Sequence, residues 1–329
     1  MTLEELIGAT LVVGLPGTRL TDEIAGHLRA IHAGGFIPFA RNFESPEQFR
    51  ELLSRMNEAC GRDVLVMVDH EGGRVVRFSS GVTCFPDART VGETQSAEAV
   101  QRQGEIEAEE LRALGVHVNL APCVDVLVAG SDPVIGPRSY GCDPKLVSAF
   151  GVARIRGLQS RGVAACAKHF PGLGAVPKDP HKQLPTVNLD WEAMRAVHLV
   201  PFLEAIRSEV ATIMSSHVCY PKLDPTPKTP ATFSRRLIHE LLRAELGFQG
   251  LVVSDDLEMG ALRELCPIGE AAVRAVEAGH DILLVCSEVS CQRQVFEALR
   301  EAYRTGRLSV SVLEQRVEQI DRVRARSWT

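Results

Sequence analysis

Eight short runs that are apolar from end to end, helical segments between them, and glycines just ahead of several runs predict an α/β protein, a single-domain (β/α)8 TIM barrel over residues 1–329. The runs are Ala9–Gly14, Gly35–Phe39, Val64–Val68, Val116–Leu120, Val163–Ala167, Thr212–Ser215, Leu251–Val253 and Asp281–Val285. Apolar residues at consecutive positions, without alternation, imply burial on both faces, the habit of parallel strands covered by helices.

The intervening helices are expected at Pro46–Ala59, Ala97–Leu114, Trp191–Ser208, Ser234–Leu246 and Ile268–Ala278, with a C-terminal helix around Val312–Val323. Asp190 and Ser234 are placed to cap the third and fourth of these. Gly115, Gly162, Gly247 and Gly279 stand where a helix or turn ends before the next strand. An open doubly wound sheet is the alternative, but no G-x-G-x-x-G follows an early strand.

Bulk properties narrow the function. A net charge of -6 and a pI near 6.0 leave no basic excess to neutralise phosphates, so nucleic acid and acidic membrane surfaces are not expected partners. The N-terminus Met1-Thr2-Leu3-Glu4-Glu5 is acidic where a secretory signal would be basic, and no apolar run reaches the roughly 18 residues of a membrane span. Nine cysteines without C-x-x-C spacing fit reduced thiols, Cys123, Cys166 and Cys286 as small core residues, and the plentiful His and Cys keep zinc only as an alternative. A soluble, cytoplasmic protein is expected, with no metal, nucleotide or flavin called for.

In such a barrel the chemistry lies at the C-terminal ends of the strands. There the sequence sets Asp69-His70-Glu71 after the third run, Asn119, Asp125 and Arg138 after the fourth, Lys168 and His169 after the fifth, His217 after the sixth and Asp255-Asp256 after the seventh. The second contributes only Arg41 and Asn42. Acids that accept and cations that donate hydrogen bonds, converging on one mouth, suit a substrate dense in hydroxyl groups, a sugar. Asp256 is expected to cap the following helix.

The stretch 171–189 has no helical periodicity and is expected to be an ordered, functional loop after the fifth strand. Within it Pro180 favours extended geometry for Asp179, and residues two apart in an extended segment share a side, so Asp179 can bond His181. That pairing would fix the imidazole tautomer and raise its pKa, making His181 a general acid-base group near neutral pH; a solvated loop histidine is the alternative.

With these residues in hand, the chain resembles the β-N-acetylglucosaminidases of glycoside hydrolase family 3, in particular the single-domain bacterial NagZ type. The motifs that carry the resemblance are GGFIPFARNF (34–43), DHEGGRVVRF (69–78), Asn119 to Val126, PVIGPRS (133–139), KHFPGLG (168–174) and SDDLEMGA (254–261), in the family's order. The resemblance implies retaining hydrolysis of terminal non-reducing β-linked N-acetylglucosamine, with Asp255 as nucleophile and His181, oriented by Asp179, as acid-base residue. It implies Asp69, Arg138, Lys168, His169 and His217 as sugar-binding residues, and muropeptides of peptidoglycan recycling as substrates. Neighbouring cations such as Arg138 or Lys168 are expected to keep Asp255 ionised.

Two positions depart from the family pattern: Leu173 replaces the second histidine of K-H-F-P-G-H-G, and His70, expected to be peripheral, stands where Gln is common. A β-glucosidase or glycoside phosphorylase of the same family, and a catalytically silent sugar-binding protein, are the alternatives.

Overall fold

In the computed structural model, which describes residues 1–128, 135–176 and 184–326, eight parallel strands pair in chain order into a closed barrel. They are β1 (Leu11–Val13), β2 (Gly35–Phe36), β3 (Leu65–Val68), β4 (Val118–Asn119), β5 (Ala164–Phe170), β6 (Thr212–Ser215), β7 (Leu251–Asp256) and β8 (Ile282–Val285). β8 pairs with β1, Leu283 opposite Leu11, which joins the two edges. The expected (β/α)8 architecture is the one observed.

Side chains of successive strand residues point to opposite faces, and the barrel separates them into two apolar layers. Val12, Leu65, Met67, Cys166, Val253 and Leu284 fill the interior, while Val13, Val66, Ala165 and Val252 pack outward against the helices. Ile320, from the C-terminal helix Val310–Arg326, joins the interior set, and Arg324 of that helix donates to the Asp63 carbonyl just ahead of β3. The helix thus closes the end where the strands begin, and the opposite end is left for chemistry.

Helices Pro46–Cys60, Ala97–Ala113 and Ile268–Ala278 lie within a residue of expectation. Gly115, Gly162, Gly247 and Gly279 take φ of 86°, 82°, 73° and 121°, the left-handed half that helix-ending glycines supply. Asp190 accepts the Ala193 N–H and Ser234 the Leu237 N–H, as caps do. The two capped helices, however, are not regular.

The expected helix Trp191–Ser208 passes through a wider π turn at Met194–His198 before an α segment at Val200–Arg207. Pro201 supplies the reason, since it has no N–H to continue the ladder; the Leu199 N–H reaches back five residues to the Met194 carbonyl instead. Arg236–Glu245 is also wound as a π-helix, which no feature of its sequence announces.

The main correction concerns β5. The sequence reading placed Lys168 and His169 beyond the strand, yet pairing continues to Phe170, with a register shift against β6 between Lys168 and Phe170. The Lys168 carbonyl accepts the Val124 N–H, and Phe170 accepts that of Ser216. Polar residues can remain in this strand because carboxylates are waiting for them inside the mouth. Regular structure stops only at Pro171.

Candidate active site

Strand parity explains which residues reach the mouth. Leu65 and Met67, Ala164 and Cys166, and Leu251 and Val253 all face the barrel interior. Two residues further along come Asp69 and Lys168, each continuing an inward-facing series where the interior opens, whereas β7 shifts register against β8 between Val253 and Asp256, and Asp255 reaches the mouth at that irregularity.

There they form one network with residues from other strands. Lys168 Nζ lies 2.6 Å from Asp69 Oδ1 and 2.6 Å from Glu71 Oε1. Arg138 donates to Glu71 from Nε and Nη2 at 2.8 and 2.7 Å, and its Nη2 is 3.3 Å from His169 Nε2. His169 Nδ1 is 2.7 Å from Asp125 Oδ2, whose carboxylate also accepts the Leu173 N–H at 2.6 Å and the Cys123 thiol at 3.3 Å.

Burial would by itself raise the Glu71 carboxyl, but Arg138 and Lys168 overcome it and hold Glu71 well below the usual carboxylate range. Burial would lower the Lys168 ammonium, and Asp69 and Glu71 instead push it up. Asp125 is likewise depressed against its burial, chiefly by His169. Glu71, Asp125 and Lys168 are therefore each held in the charged form by the groups they bond, and the two cations of the network are held in fixed directions.

Asp255 stands on the other side of the mouth, partly exposed at the end of β7. Burial acts to raise its pKa, but His217, His169 and Lys168, together with the N–H of Asp256, lower it below the ordinary value. Lys168 was expected to do this; Arg138, expected alongside it, is not among the main causes.

His217 carries the larger share, for a reason visible in its hydrogen bonds. Its Nε2 is 2.9 Å from the Asp256 carbonyl, to which it must donate, and its Nδ1 is 2.5 Å from Thr232 Oγ1. The Thr232 hydroxyl also lies 3.0 Å from the Ser216 carbonyl. These bonds fix the ring against the end of β7, beside Asp255.

Asp256 behaves differently from its neighbour. The helix cap expected of it does not form, since Met259 precedes the short helix Gly260–Arg263 and Asp256 is still in β7. It accepts instead the N–H groups of Glu258 and Cys286. Burial, with Glu258 and Asp255 nearby, pushes its pKa to about 7. Two adjacent acids are thus driven apart, one to remain ionised and one to share a proton near neutrality, a pattern that marks sites of acid-base chemistry.

The model of the glycosyl hydrolase family 3 N-terminal domain matches residues 2–323. The chain belongs to glycoside hydrolase family 3. Curated relatives in this family include a protein named beta-hexosaminidase from Nitrosomonas eutropha, 37% identical over 296 residues, 88% of this chain and 84% of the relative. Another of the same name, from Alkalilimnicola ehrlichii, is 39% identical over 283 residues, 84% of this chain and 80% of the relative.

Among solved structures, a family 3 β-N-acetylglucosaminidase from a Paenibacillus species superimposes with a TM-score of 0.95 at 37% identity, over 99% of this chain; the chain spans 63% of that protein's length. NagZ from Neisseria gonorrhoeae, solved in complex with N-trifluoroacetyl-D-glucosamine, superimposes with a TM-score of 0.79 at 30% identity, covering 96% of this chain and 98% of that one.

In this family 3 barrel the structure brings together Asp69, Arg138, Lys168, His169, His217 and Asp255. Asp179 and His181 lie outside the described residues. The described flanks of their loop are anchored: Gly174 runs so close to the Val126 carbonyl that a Cβ would sit 1.9 Å from its oxygen, and Val187 donates to the Cys219 carbonyl.

Three functional residues were not singled out by the sequence reading. Glu71 and Asp125 were visible only as strand-end acids; their central role comes from which cations fold against them. Arg77 stands within the 69–78 motif with nothing in the sequence to set it apart. Its guanidinium lies 3.6 Å from Asp69 and over the Phe39 ring, eight residues along a glycine-containing loop whose path no periodicity discloses.

The two departures also resolve. Leu173 turns its side chain into the core, 5% exposed, while its N–H serves Asp125. His70, expected to be peripheral, is 1% exposed, stacks on Phe78 and accepts the Arg77 N–H at Nδ1, so it supports the loop that carries Arg77. Its burial holds it neutral, with the pKa lowered to about 4.

Proposed function

We propose that this family 3 protein is a retaining β-N-acetylhexosaminidase that removes terminal non-reducing β-linked N-acetylglucosamine through a glycosyl-enzyme formed on Asp255. The observation that carries the reading is the Asp255 carboxylate at the inward end of β7, held ionised by His217, His169 and Lys168 and facing a cluster built to hold hydroxyl groups. The shared name of the curated relatives, beta-hexosaminidase, supports the N-acetylhexosaminide.

In the first step the carboxylate attacks the anomeric carbon, the bond to the leaving oxygen breaks, and that oxygen takes a proton from His181. In the second, water attacks the same carbon, gives its proton to His181, and releases Asp255. Asp179 orients His181 and favours its charged form. Asp69, Arg138, Lys168, His169 and His217 hold the sugar and stabilise charge as it develops. The balance of both steps is met by these side chains and water. Muropeptides are the substrates and the cytoplasm the site of action in this reading, which follows the family resemblance; among the described residues no helix is long and apolar enough to cross a membrane.

The deciding experiment is hydrolysis of a panel of aryl β-glycosides, followed by trapping with a 2-fluoro or 5-fluoro sugar and peptide mapping. Turnover of the β-N-acetylglucosaminide with label on Asp255 is expected. Label on another side chain overturns the assignment, and correctly folded protein that binds the sugar without turnover leaves the silent-binder alternative.

A further inference from the structure

The ion pair between Arg154 and Glu107 is buried among the helices, behind the mouth. Arg154 stands on the helix Pro144–Ser160 and Glu107 on the helix Ala97–Ala113, each 2% exposed, and the guanidinium meets the carboxylate from Nε at 2.8 Å and from Nη2 at 2.7 Å. The helices approach closely where Gly104 meets Gly157; a Cβ on Gly157 would sit 2.2 Å from the Gln101 carbonyl oxygen. A buried pair of this kind is no dependable source of stability, since well-packed apolar residues often replace it without loss. Its other bonds say more.

Arg154 reaches past Glu107 to the stretch that follows β3. Its Nη2 donates to the Glu71 carbonyl at 3.1 Å, with the His70 carbonyl 3.4 Å away. Asn119, wholly buried at the end of β4, takes the same stretch from the neighbouring strand: its Oδ1 accepts the His70 N–H at 3.1 Å and its Nδ2 donates to the His70 carbonyl at 2.9 Å. Each peptide group is planar, so a bond to its N–H or C=O restrains the whole plane. The planes held here are consecutive, 69–70, 70–71 and 71–72, which leaves His70 and Glu71 little freedom in φ or ψ. The acids carried by this stretch, Asp69 and Glu71, are the two that meet on Lys168 Nζ, each at 2.6 Å.

We propose that Asn119 and Arg154, the latter braced by Glu107, are positioning residues for the site: they clamp the backbone from which Asp69 and Glu71 project, and so set where Lys168 and Arg138 point. The inference rests on the glycosidase reading above, in which none of the three touches the sugar. A carboxylate that holds two cations at 2.6–2.8 Å tolerates little movement of its own backbone, so the aim of the cations is inherited from the clamp.

The test compares Arg154→Lys in the wild-type background and in Glu71→Gln, reading KM and kcat on an aryl β-N-acetylglucosaminide and the Kd of N-acetylglucosamine by calorimetry. The lysine keeps a charge against Glu107 but lacks the fork that also reaches the carbonyls. In the wild-type background KM and Kd should rise about tenfold with kcat changed less than about threefold, as for a loosened binding site. In Glu71→Gln, whose side chain no longer holds the cations by charge, the same substitution should raise them less than about twofold, since residues that act through one another are not additive. Asn119→Ala, which frees both His70 bonds and leaves the buried pair in place, should repeat this pattern and carries the comparison where Arg154→Lys does not fold. Equal factors in the two backgrounds, a loss confined to kcat, or unchanged KM and Kd overturns the positioning role. A wild type that binds N-acetylglucosamine but turns over no aryl β-N-acetylglucosaminide overturns the glycosidase reading instead, and the Kd comparison then still decides the clamp; one that does neither overturns both.

Discussion

Arg138 grips Glu71 through two parallel hydrogen bonds, 2.8 Å from Nε and 2.7 Å from Nη2, in a pair that is almost wholly buried. Lys168 adds a second cation to the same carboxylate at 2.6 Å. Glu71 is therefore the counter-charge that lets two cations sit side by side below the mouth.

Removing that counter-charge should cost more than removing a contact. Glu71→Ala leaves Arg138 and Lys168 facing each other without it, and a destabilisation of about 3–5 kcal/mol is expected in urea unfolding. A change under about 1 kcal/mol would mean that the cations find other partners and that Glu71 does not organise the site.

The acid limb of stability follows from the same groups. Glu71, Asp125 and Asp255 all have folded pKa values below their ordinary ones. Their contribution is present above the unfolded carboxyl range and is lost as pH falls through it toward the depressed folded values. Stability measured by denaturant titration should therefore fall steadily below about pH 4.5, and the slope should be shallower in Glu71→Gln.

Asp256 has the opposite sign. Its pKa rises from 3.8 to about 7 on folding, so between those values the folded state binds more protons than the unfolded one and stability declines as pH rises, levelling off above 7. Asp256→Asn keeps an oxygen for the Glu258 N–H and should remove this slope, gaining about 1–2 kcal/mol near pH 8. Equal pH dependence in the variant and the wild type would show that Asp256 is ionised across the range.

Asp255→Ala should reduce turnover of aryl β-N-acetylglucosaminides by about a thousandfold or more, as loss of a nucleophile does. Retained activity would place the nucleophile elsewhere.

His181→Ala is expected to slow substrates with poor leaving groups by about 10²–10⁴, and activated aryl glycosides much less, because only a poor leaving oxygen needs the proton. An equal loss on both would count against His181 as the acid. Replacing Asp179 should shift the pH profile of kcat/KM; an unchanged profile would separate the two residues.

Much of this was legible from one dimension. Uninterrupted apolar runs identify β3, β5, β6, β7 and β8 because a strand buried on both faces has no choice of composition, and the glycines at 115, 162, 247 and 279 mark backbone that only glycine adopts without cost. Asp69 and Lys168 could be found from the same runs, since each extends an inward series by two, whereas Asp255 follows a register shift in β7 that its run does not announce. Where strand and loop divide was less legible: Lys168 to Phe170 look like loop in composition, and only the carboxylates across the mouth make them tolerable as strand.

The sequence by itself determined the barrel, the end of it that carries chemistry and the family, because those rest on local burial, periodicity and motif order along the chain. The tertiary structure alone decided that Glu71 joins Arg138 to Lys168, that His217 governs Asp255, and that Asp255 and Asp256 titrate in opposite directions. Those properties depend on distances of 2.6–2.9 Å between residues from different strands and on how much water each has lost, and neither quantity is written in the order of the residues.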